Sequence, residues 1–256
     1  MTFSARTLAA IAAAMYILAP ASHAADAGRS YAVMSLVGNA ITVHTIRPGV
    51  GIRTESETRT VLPIREQVFD TAALGAADTA IKATQPGAKI VLMLTQDEGL
   101  YKAQNAMFAA PGANKDNLDY LFGLLKDRGV SHLLLITKEY DNAHFKVTNG
   151  FTGKGTLDGL GFYIDDTLDF RNSDDASAST GMLGPFAYLR VRLIDVRTLA
   201  VLKEAKATHS DIVVRPSASP NAMEMWTSMP SKEKMERLED LIGKALRQAV
   251  PEVLAQ

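Results

Sequence analysis

Beyond the first segment of this 256-residue chain, the side chains best suited to proton transfer or metal ligation are four histidines, His44, His132, His144 and His209, and the acidic run Asp165-Asp166-Thr167-Leu168-Asp169. A hydrolase needs a nucleophile, a base and an orienting carboxylate within hydrogen-bond reach, and a metal site needs several ligands converging on one point. The sequence contains neither Gly-x-Ser-x-Gly nor His-Glu-x-x-His, so a hydrolytic site would have to be assembled from dispersed His and Asp residues. The acidic run has the spacing of magnesium-diphosphate enzymes, whose carboxylates stand on one face of a long helix. Here the neighbours alternate as in a strand, which turns Asp165 and Asp166 to opposite faces. With Asp174 and Asp175 close by, weak calcium binding is the alternative, although the oxygen spacing and glycine of an EF-hand loop are missing. A solvated acidic loop is the simpler reading, and no metal or cofactor is expected.

Shorter motifs have structural explanations. Gly150-Phe151-Thr152-Gly153-Lys154-Gly155-Thr156 is similar to a phosphate loop, but Gly155 follows Lys154 where Ser or Thr is required, and no helix follows to present its amino terminus. Gly159-Leu160-Gly161-Phe162 matches the carboxylate loop of PDZ domains, which bind a peptide terminus by strand addition; a glycine turn leading into a strand also accounts for it. Ser231-Lys232-Glu233-Lys234 fits the Ser-x-x-Lys of penicillin-interactive enzymes without their other elements, and a helix cap explains it. The absence of cysteine excludes disulfides, thiol nucleophiles, Cys-based zinc sites and iron–sulfur ligation.

Lys+Arg 27 against Asp+Glu 28, with 47% hydrophobic and 21% charged residues, describes neither a disordered tail nor a polybasic nucleic-acid binder. At the amino terminus, Arg6 is the only charge before Asp26, and it precedes a small apolar run, Pro20, and Ala21-Ser22-His23-Ala24. That order is a secretory signal peptide with an apolar run too short to span a bilayer and a cleavage site after Ala24. Residues 1–24 are therefore predicted to be removed and residues 25–256 to form the mature chain, periplasmic or secreted, with no later transmembrane span. Outside the cytoplasm ATP, nicotinamide nucleotides and coenzyme A are not at hand. The remaining classes are binding, envelope assembly and hydrolysis.

The elements that would position any site follow from periodicity. Residues 30–37 and 40–46 read as a hairpin about Gly38-Asn39, and 58–64 as a third strand. Asp70 is placed as the cap of a helix to about Thr84, with Leu74, Ala77 and Ile81 on one face. The unbroken apolar runs 89–94 and 132–136 read as strands buried on both faces, a parallel pair at the sheet centre. Between them, Thr95 to Glu98 has capping-box spacing for a helix toward Phe108, and a Leu-rich helix ends at Gly129. Residues 188–194 and 200–208 form a hairpin with Arg190 and Arg192 on a wet face. The last helix is capped by Ser231, carries Met235, Leu238, Ile242, Ala245, Leu246 and Ala249 on one apolar stripe, and ends at Pro251. The expected fold is one mixed α/β domain, with helices packed on a twisted mixed sheet.

Residues 149–184 differ in texture, with five glycines between Asn149 and Gly161 and a Ser/Asp/Ala run. Residues 162–170 alternate enough to be a strand, and the whole is read as a loop region whose aromatic and apolar side chains, Phe151, Leu160, Phe162, Tyr163 and Phe170, grip a partner; a solvent-exposed hairpin with a floppy tip is the alternative.

The strand at 31–37, the helix after Asp70, Lys126-Asp127-Arg128-Gly129-Val130, the strand 132–136 and Leu193-Ile194-Asp195-Val196-Arg197-Thr198 together resemble the periplasmic α/β domain of the TolB amino-terminal region and the curli-secretion lipoprotein. The sequence departs from that pattern at Leu199, where the hairpin glycine is expected, at Thr137, which replaces a usual glycine, and in lacking a lipidated Cys. The resemblance thus implies the architecture and a non-catalytic envelope role rather than anchoring or pore formation. The expected function is non-enzymatic binding or cell-envelope assembly, with an envelope protein or peptide as partner, no nucleic acid, and a homo-oligomer left open. A periplasmic hydrolase built from dispersed His and Asp residues is the alternative.

Overall fold

The computed structural model describes residues 29–49, 55–109, 114–171, 178–213 and 221–255; the expected signal peptide lies outside them. Along the chain come β1 (Ser30–Ser35), β2 (Ala40–Pro48), β3 (Glu55–Pro63), α1 (Val68–Thr84), β4 (Lys89–Met93), α2 (Glu98–Ala103), α3 (Lys115–Leu125) and β5 (His132–Lys138). Four short strands follow, β6 (Tyr140–Asn142), β7 (Phe145–Val147), β8 (Gly150–Thr152) and β9 (Thr156–Asp158). The remainder is β10 (Leu160–Arg171), β11 (Ala178–Asp195), β12 (Val201–Ser210), α4 (Ala222–Ser228) and α5 (Ser231–Leu254). Eight strands form one mixed sheet in the order β3-β2-β10-β11-β5-β1-β4, with β12 also on β11. This is a single α/β domain.

β11 holds two half-sheets together. Leu160 pairs with Ala187 and Lys138 with Leu189, so β10 and β5 lie end to end along one side of β11, while β12 takes the other. Tyr188 sits at the seam: its amide donates to the Gly159 carbonyl at 2.7 Å and its carbonyl accepts from the Glu139 amide at 2.9 Å.

β1 and β2 are not hairpin partners. β1 lies between β4 and β5, parallel to both, and β2 lies between β3 and β10. The Gly38-Asn39 turn carries the chain from one half-sheet to the other. β1 also separates the two apolar runs expected to pair directly.

The continuous run in β5 reflects burial on both faces. Tyr31, Val33, Leu134 and Ile136 join the cluster beneath α1 and α5, whereas Ala32, Met34, Leu133 and Leu135 face α2 and α3. Each large apolar side chain so buried contributes about 1.5–3 kcal/mol. β4 differs: it is an edge strand, and Leu92 is 48% exposed.

The helix starts also differ from expectation. Gln67 occupies the α1 cap position without a side-chain bond to the helix, its amide donating instead to the Thr95 carbonyl, and Asp70 is turned inward. Asp97 caps α2, accepting from the Leu100 amide at 2.9 Å, while Thr95 only steadies the Asp97 amide. Pro230, not Ser231, precedes α5, and Pro251 lies within it because a proline this near the end forfeits one hydrogen bond without stopping the last turn. The apolar stripe of α5 is buried at Leu238, Ile242, Ala245, Leu246 and Ala249, all inaccessible, but not at Met235, which lies one turn earlier and is 40% exposed.

Residues 149–184 are not one loop, and the strand read at 162–170 is present as β10. They contain β8, β9, β10 and the start of β11, and β10 is interior to the sheet, between β2 and β11. Its glycine serves the ladder: a Cβ at Gly161 would lie 1.9 Å from the Thr42 carbonyl oxygen. Leu160, Phe162 and Ile164 enter the cluster under α1 and α5. On the other face Tyr163 joins Ile46, Phe145, Leu157, Phe186 and Tyr188, a third cluster covered by the small sheets β6-β9 and β7-β8.

Candidate functional site

Among the five residues expected to grip a partner, the structure places only Phe151 at the surface with its side chain described. It is 62% exposed on β8, with its ring 3.8 Å from that of His144. Tyr140, 57% exposed on β6, accepts a 2.6 Å hydrogen bond from Thr156. The hairpin displaying Phe151 is tied down: Gly153, at φ 127°, is seated so closely that a Cβ would lie 2.9 Å from Ala143. Leu160, Phe162 and Tyr163 are fully buried, so their side chains serve the core rather than a surface; Phe162 packs on Trp226 at 4.7 Å. The reason is the position of β10, which has neighbours on both edges and packing on both faces. The Phe170 side chain lies outside the described residues.

Beneath this cover lies His44, 2% exposed. Its ring stacks on Tyr163 at 5.5 Å, and Tyr163 donates to Asp165 Oδ2 at 3.0 Å. Asp165 Oδ1 accepts from both the amide and hydroxyl of Thr167. Glu57 Oε1 lies 3.1 Å from His44 Nε2 but off the line of a hydrogen bond, and both ring nitrogens are buried without a partner. Burial holds the His44 pKa below its ordinary value against the pull of Glu57; Arg59 adds to the lowering and Asp165 opposes it. Burial, with Asp165 nearby, pushes the Tyr163 phenol well up, against the opposing Lys154 amide.

The other dispersed residues stay apart. Asp166 turns to the opposite face from Asp165, as expected, and accepts from the Ala222 and Met223 amides at the start of α4. His132 contacts Ser131 and the ring of Tyr31, and His209 contacts Gln248. Among the described residues, no group of three His, Cys, Asp or Glu side chains converges for a metal ion.

Sequence reasoning missed a second polar centre, at the carboxyl ends of β1, β4 and β5. Asp70, 1% exposed, accepts from Ser35 Oγ at 2.6 Å, from the amides of Val37 and Gly38 at 3.0 and 3.2 Å, and from the Tyr101 hydroxyl at 2.6 Å. Burial and then the Asp70 bond push the Tyr101 phenol far above its usual range. Lys138 spans the same turn, donating to Asn39 Oδ1 at 2.8 Å and the Ala40 carbonyl at 3.2 Å. In open α/β sheets this end of the parallel strands is where ligands bind. Here Asp70 binds the protein's own turn. The available signal was Asp70 itself, a carboxylate on the apolar stripe with Ala73, Leu74 and Ala77.

A third centre crosses β5, β11 and β12. Glu139, 2% exposed, accepts from Arg190 Nε and from Lys206 Nζ at 2.9 Å, and Arg192 Nε meets Glu204 at 3.0 Å. Burial raises the Glu139 carboxyl, and the Arg190 and Lys206 contacts outweigh it, leaving the group below its usual value. Arg192, expected on a wet face, is 3% exposed beneath Phe108. Elsewhere a groove of about 270 Å³, with Asp211, Glu236, Arg237 and Asp240 in its walls, runs beside α5 and includes none of the sequence-predicted residues.

No family model and no curated protein matches the chain. Among solved structures, it is similar to a single-substitution variant of the PelC dodecamer from Paraburkholderia phytofirmans at 10% identity and TM-score 0.34, covering 90% of each chain. Lipoprotein GNA1162 from Neisseria meningitidis matches at 11% identity and TM-score 0.29 over 84% of this chain and 96% of that one. The LpoB C-terminal domain from Salmonella enterica matches at 10% identity and TM-score 0.24 over 71% and 82%. These three are not TolB or curli-secretion proteins, and at such TM-scores the likenesses carry no argument. No helix among the described residues is long and apolar enough to cross a membrane.

Proposed function

We propose that this is an exported, non-enzymatic periplasmic protein acting in binding or cell-envelope assembly, and that hairpin β7-β8 docks an envelope protein or peptide through Phe151. The observation that carries the reading is Phe151, a large aromatic ring 62% exposed on a hairpin whose backbone is held in place. A preorganised aromatic loses little freedom on docking, which is why such residues dominate interfaces. The polar centres support the same reading. The carboxylates of Asp70, Asp165 and Glu139 are engaged by the protein's own donors, which gives them positioning work within the fold. Export rests on the signal-like residues 1–24, and the envelope setting on the resemblance to the TolB and curli-secretion type.

The test is crosslinking in intact cells, with a photoreactive residue at position 151 or 140 and the captured species identified by mass spectrometry. Phe151→Ser should abolish capture from position 140 while leaving the melting temperature within about 2 °C, as for a surface substitution. Undiminished capture would sink the docking assignment; an intact residue 1–24 segment in the membrane fraction would make that segment an anchor rather than a cleaved signal, and recovery of the chain from the cytoplasm would sink the export reading.

A further inference from the structure

β3 is an edge strand exposed along all nine residues, with Val61 at 56% and Leu62 at 36%. Among the described residues, only β2 pairs with it. A long, uncovered edge of this kind is a template for another strand.

The direction of its backbone groups can be read off the ladder. The Ile64 amide donates to the Asn39 carbonyl at 2.9 Å, and the β2–β3 register continues without a shift from Ala40↔Pro63 to Pro48↔Glu55. Because hydrogen-bonded and non-hydrogen-bonded pairs alternate, Ser56, Thr58, Thr60 and Leu62 turn their amides toward β2. Glu55, Glu57, Arg59 and Val61 turn theirs outward. Pro63 falls in the outward row, where its missing amide costs the sheet nothing.

An incoming antiparallel strand must present its own outward residues to these. For a second copy related by a two-fold axis, this restricts the axis to a residue position, and charge then selects among positions. An axis at Ser56 opposes Glu55 with Glu57, one at Glu57 opposes that residue with itself, and one at Arg59 does the same for arginine. An axis at Thr60 sets Arg59 against Val61. Only an axis at Thr58 opposes Glu57 with Arg59, twice, with no like charges facing. It also places Thr58 against its own copy and Ser56 against Thr60, pairs that suit adjacent strands. The Glu57 and Arg59 side chains are 57% and 42% exposed. Arg59 uses Nη2 on Asp158 at 2.8 Å, and a guanidinium has further donors to offer.

We propose that β3 pairs antiparallel with β3 of a second copy about a two-fold axis through Thr58, joining two eight-stranded sheets into one. This interface is separate from the Phe151 hairpin and does not rest on the docking reading.

The chain has no cysteine, so introduced thiols report register cleanly. Thr58→Cys puts one thiol on the axis in a non-hydrogen-bonded pair, where Cβ atoms come closest, and mild oxidation should yield a covalent dimer. Thr60→Cys alone should remain monomeric on a denaturing gel, whereas Ser56→Cys combined with Thr60→Cys should crosslink. In sedimentation equilibrium, Arg59→Glu should weaken self-association by more than ~10-fold. The exchange Glu57→Arg with Arg59→Glu should restore it, with circular dichroism confirming that each variant is folded. A protein that sediments as a monomer at ~100 µM, far above a micromolar Kd, overturns the proposal. So does crosslinking through Thr60→Cys alone as efficient as through Thr58→Cys, or failure of the charge exchange to rescue a folded Arg59→Glu protein.

Discussion

Asp70 Oδ2 accepts a 2.6 Å hydrogen bond from the Tyr101 hydroxyl, tying the first turn of α1 on one face of the sheet to α2 on the other. The same carboxylate holds the Gly38 turn that links the half-sheets. One buried anion thus fixes three elements.

Tyr101→Phe removes one donor to a charged acceptor and should cost about 1.5–3 kcal/mol. Asp70→Ala strands several buried donors at once and should cost at least ~3 kcal/mol. Urea melts should show both as lower midpoints with an unchanged slope. A Tyr101→Phe loss equal to that of Asp70→Ala would show that the turn amides contribute nothing.

His44 gives a pH dependence. The unfolded residue titrates near its ordinary value of 6.5, and the folded one lower, chiefly through burial. Between the two values the unfolded chain binds more protons, so acidification favours unfolding. The contribution is complete at neutral pH and is lost as pH falls below 6.5, with a slope of up to ~1.4 kcal/mol per pH unit until the folded ring protonates. His44→Phe keeps the stack on Tyr163 and should flatten this part of the profile. His132, also lowered by burial and then by Arg29, leaves some slope behind. An unchanged profile in His44→Phe would show that His44 is not the group responsible.

Leu199 has φ 55°, a left-handed conformation that costs an ordinary side chain about 1–2 kcal/mol. It closes the β11–β12 turn, where its amide donates to the Asp195 carbonyl at 2.8 Å. A β-branched residue tolerates this backbone least and asparagine well. Leu199→Val should therefore lower the melting temperature more than Leu199→Asn, although valine is the more apolar. The reverse order would place the importance of Leu199 in packing instead.

The turn at 195–199 is legible in the sequence because local bonds decide it: Asp195 Oδ1 caps the Thr198 amide at 2.8 Å. The strained position, Leu199, is also where the resemblance to the TolB and curli-secretion type implies a glycine. Partners are less legible. Gly38-Asn39 signals a reversal, but nothing local says that β1 will join β4 and β5 while β2 joins β3 and β10. A continuous apolar run indicates burial without naming a place in the sheet, so the reading holds for 132–136 and fails for 89–94, which lies on an edge. Phe162 and Tyr163 fall in the strand read at 162–170, but their glycine neighbours suggest a mobile surface segment rather than the core position they occupy. In the fold those glycines permit close strand approach.

The position of β11 has a consequence for how the chain is made. Its pairing with β10 joins Ala187 to Leu160, and its pairing with β5 joins Asp195 to His132, so the first seam cannot close fully until Ala187 has left the ribosome, nor the second until Asp195 has. Until then, β5 and β10 each present an open apolar edge, the kind of surface on which nascent chains aggregate. Translation pauses before Asp195 has emerged from the ribosome should lengthen that exposure and lower the yield of native protein, whereas pauses after its emergence should be harmless to the seams.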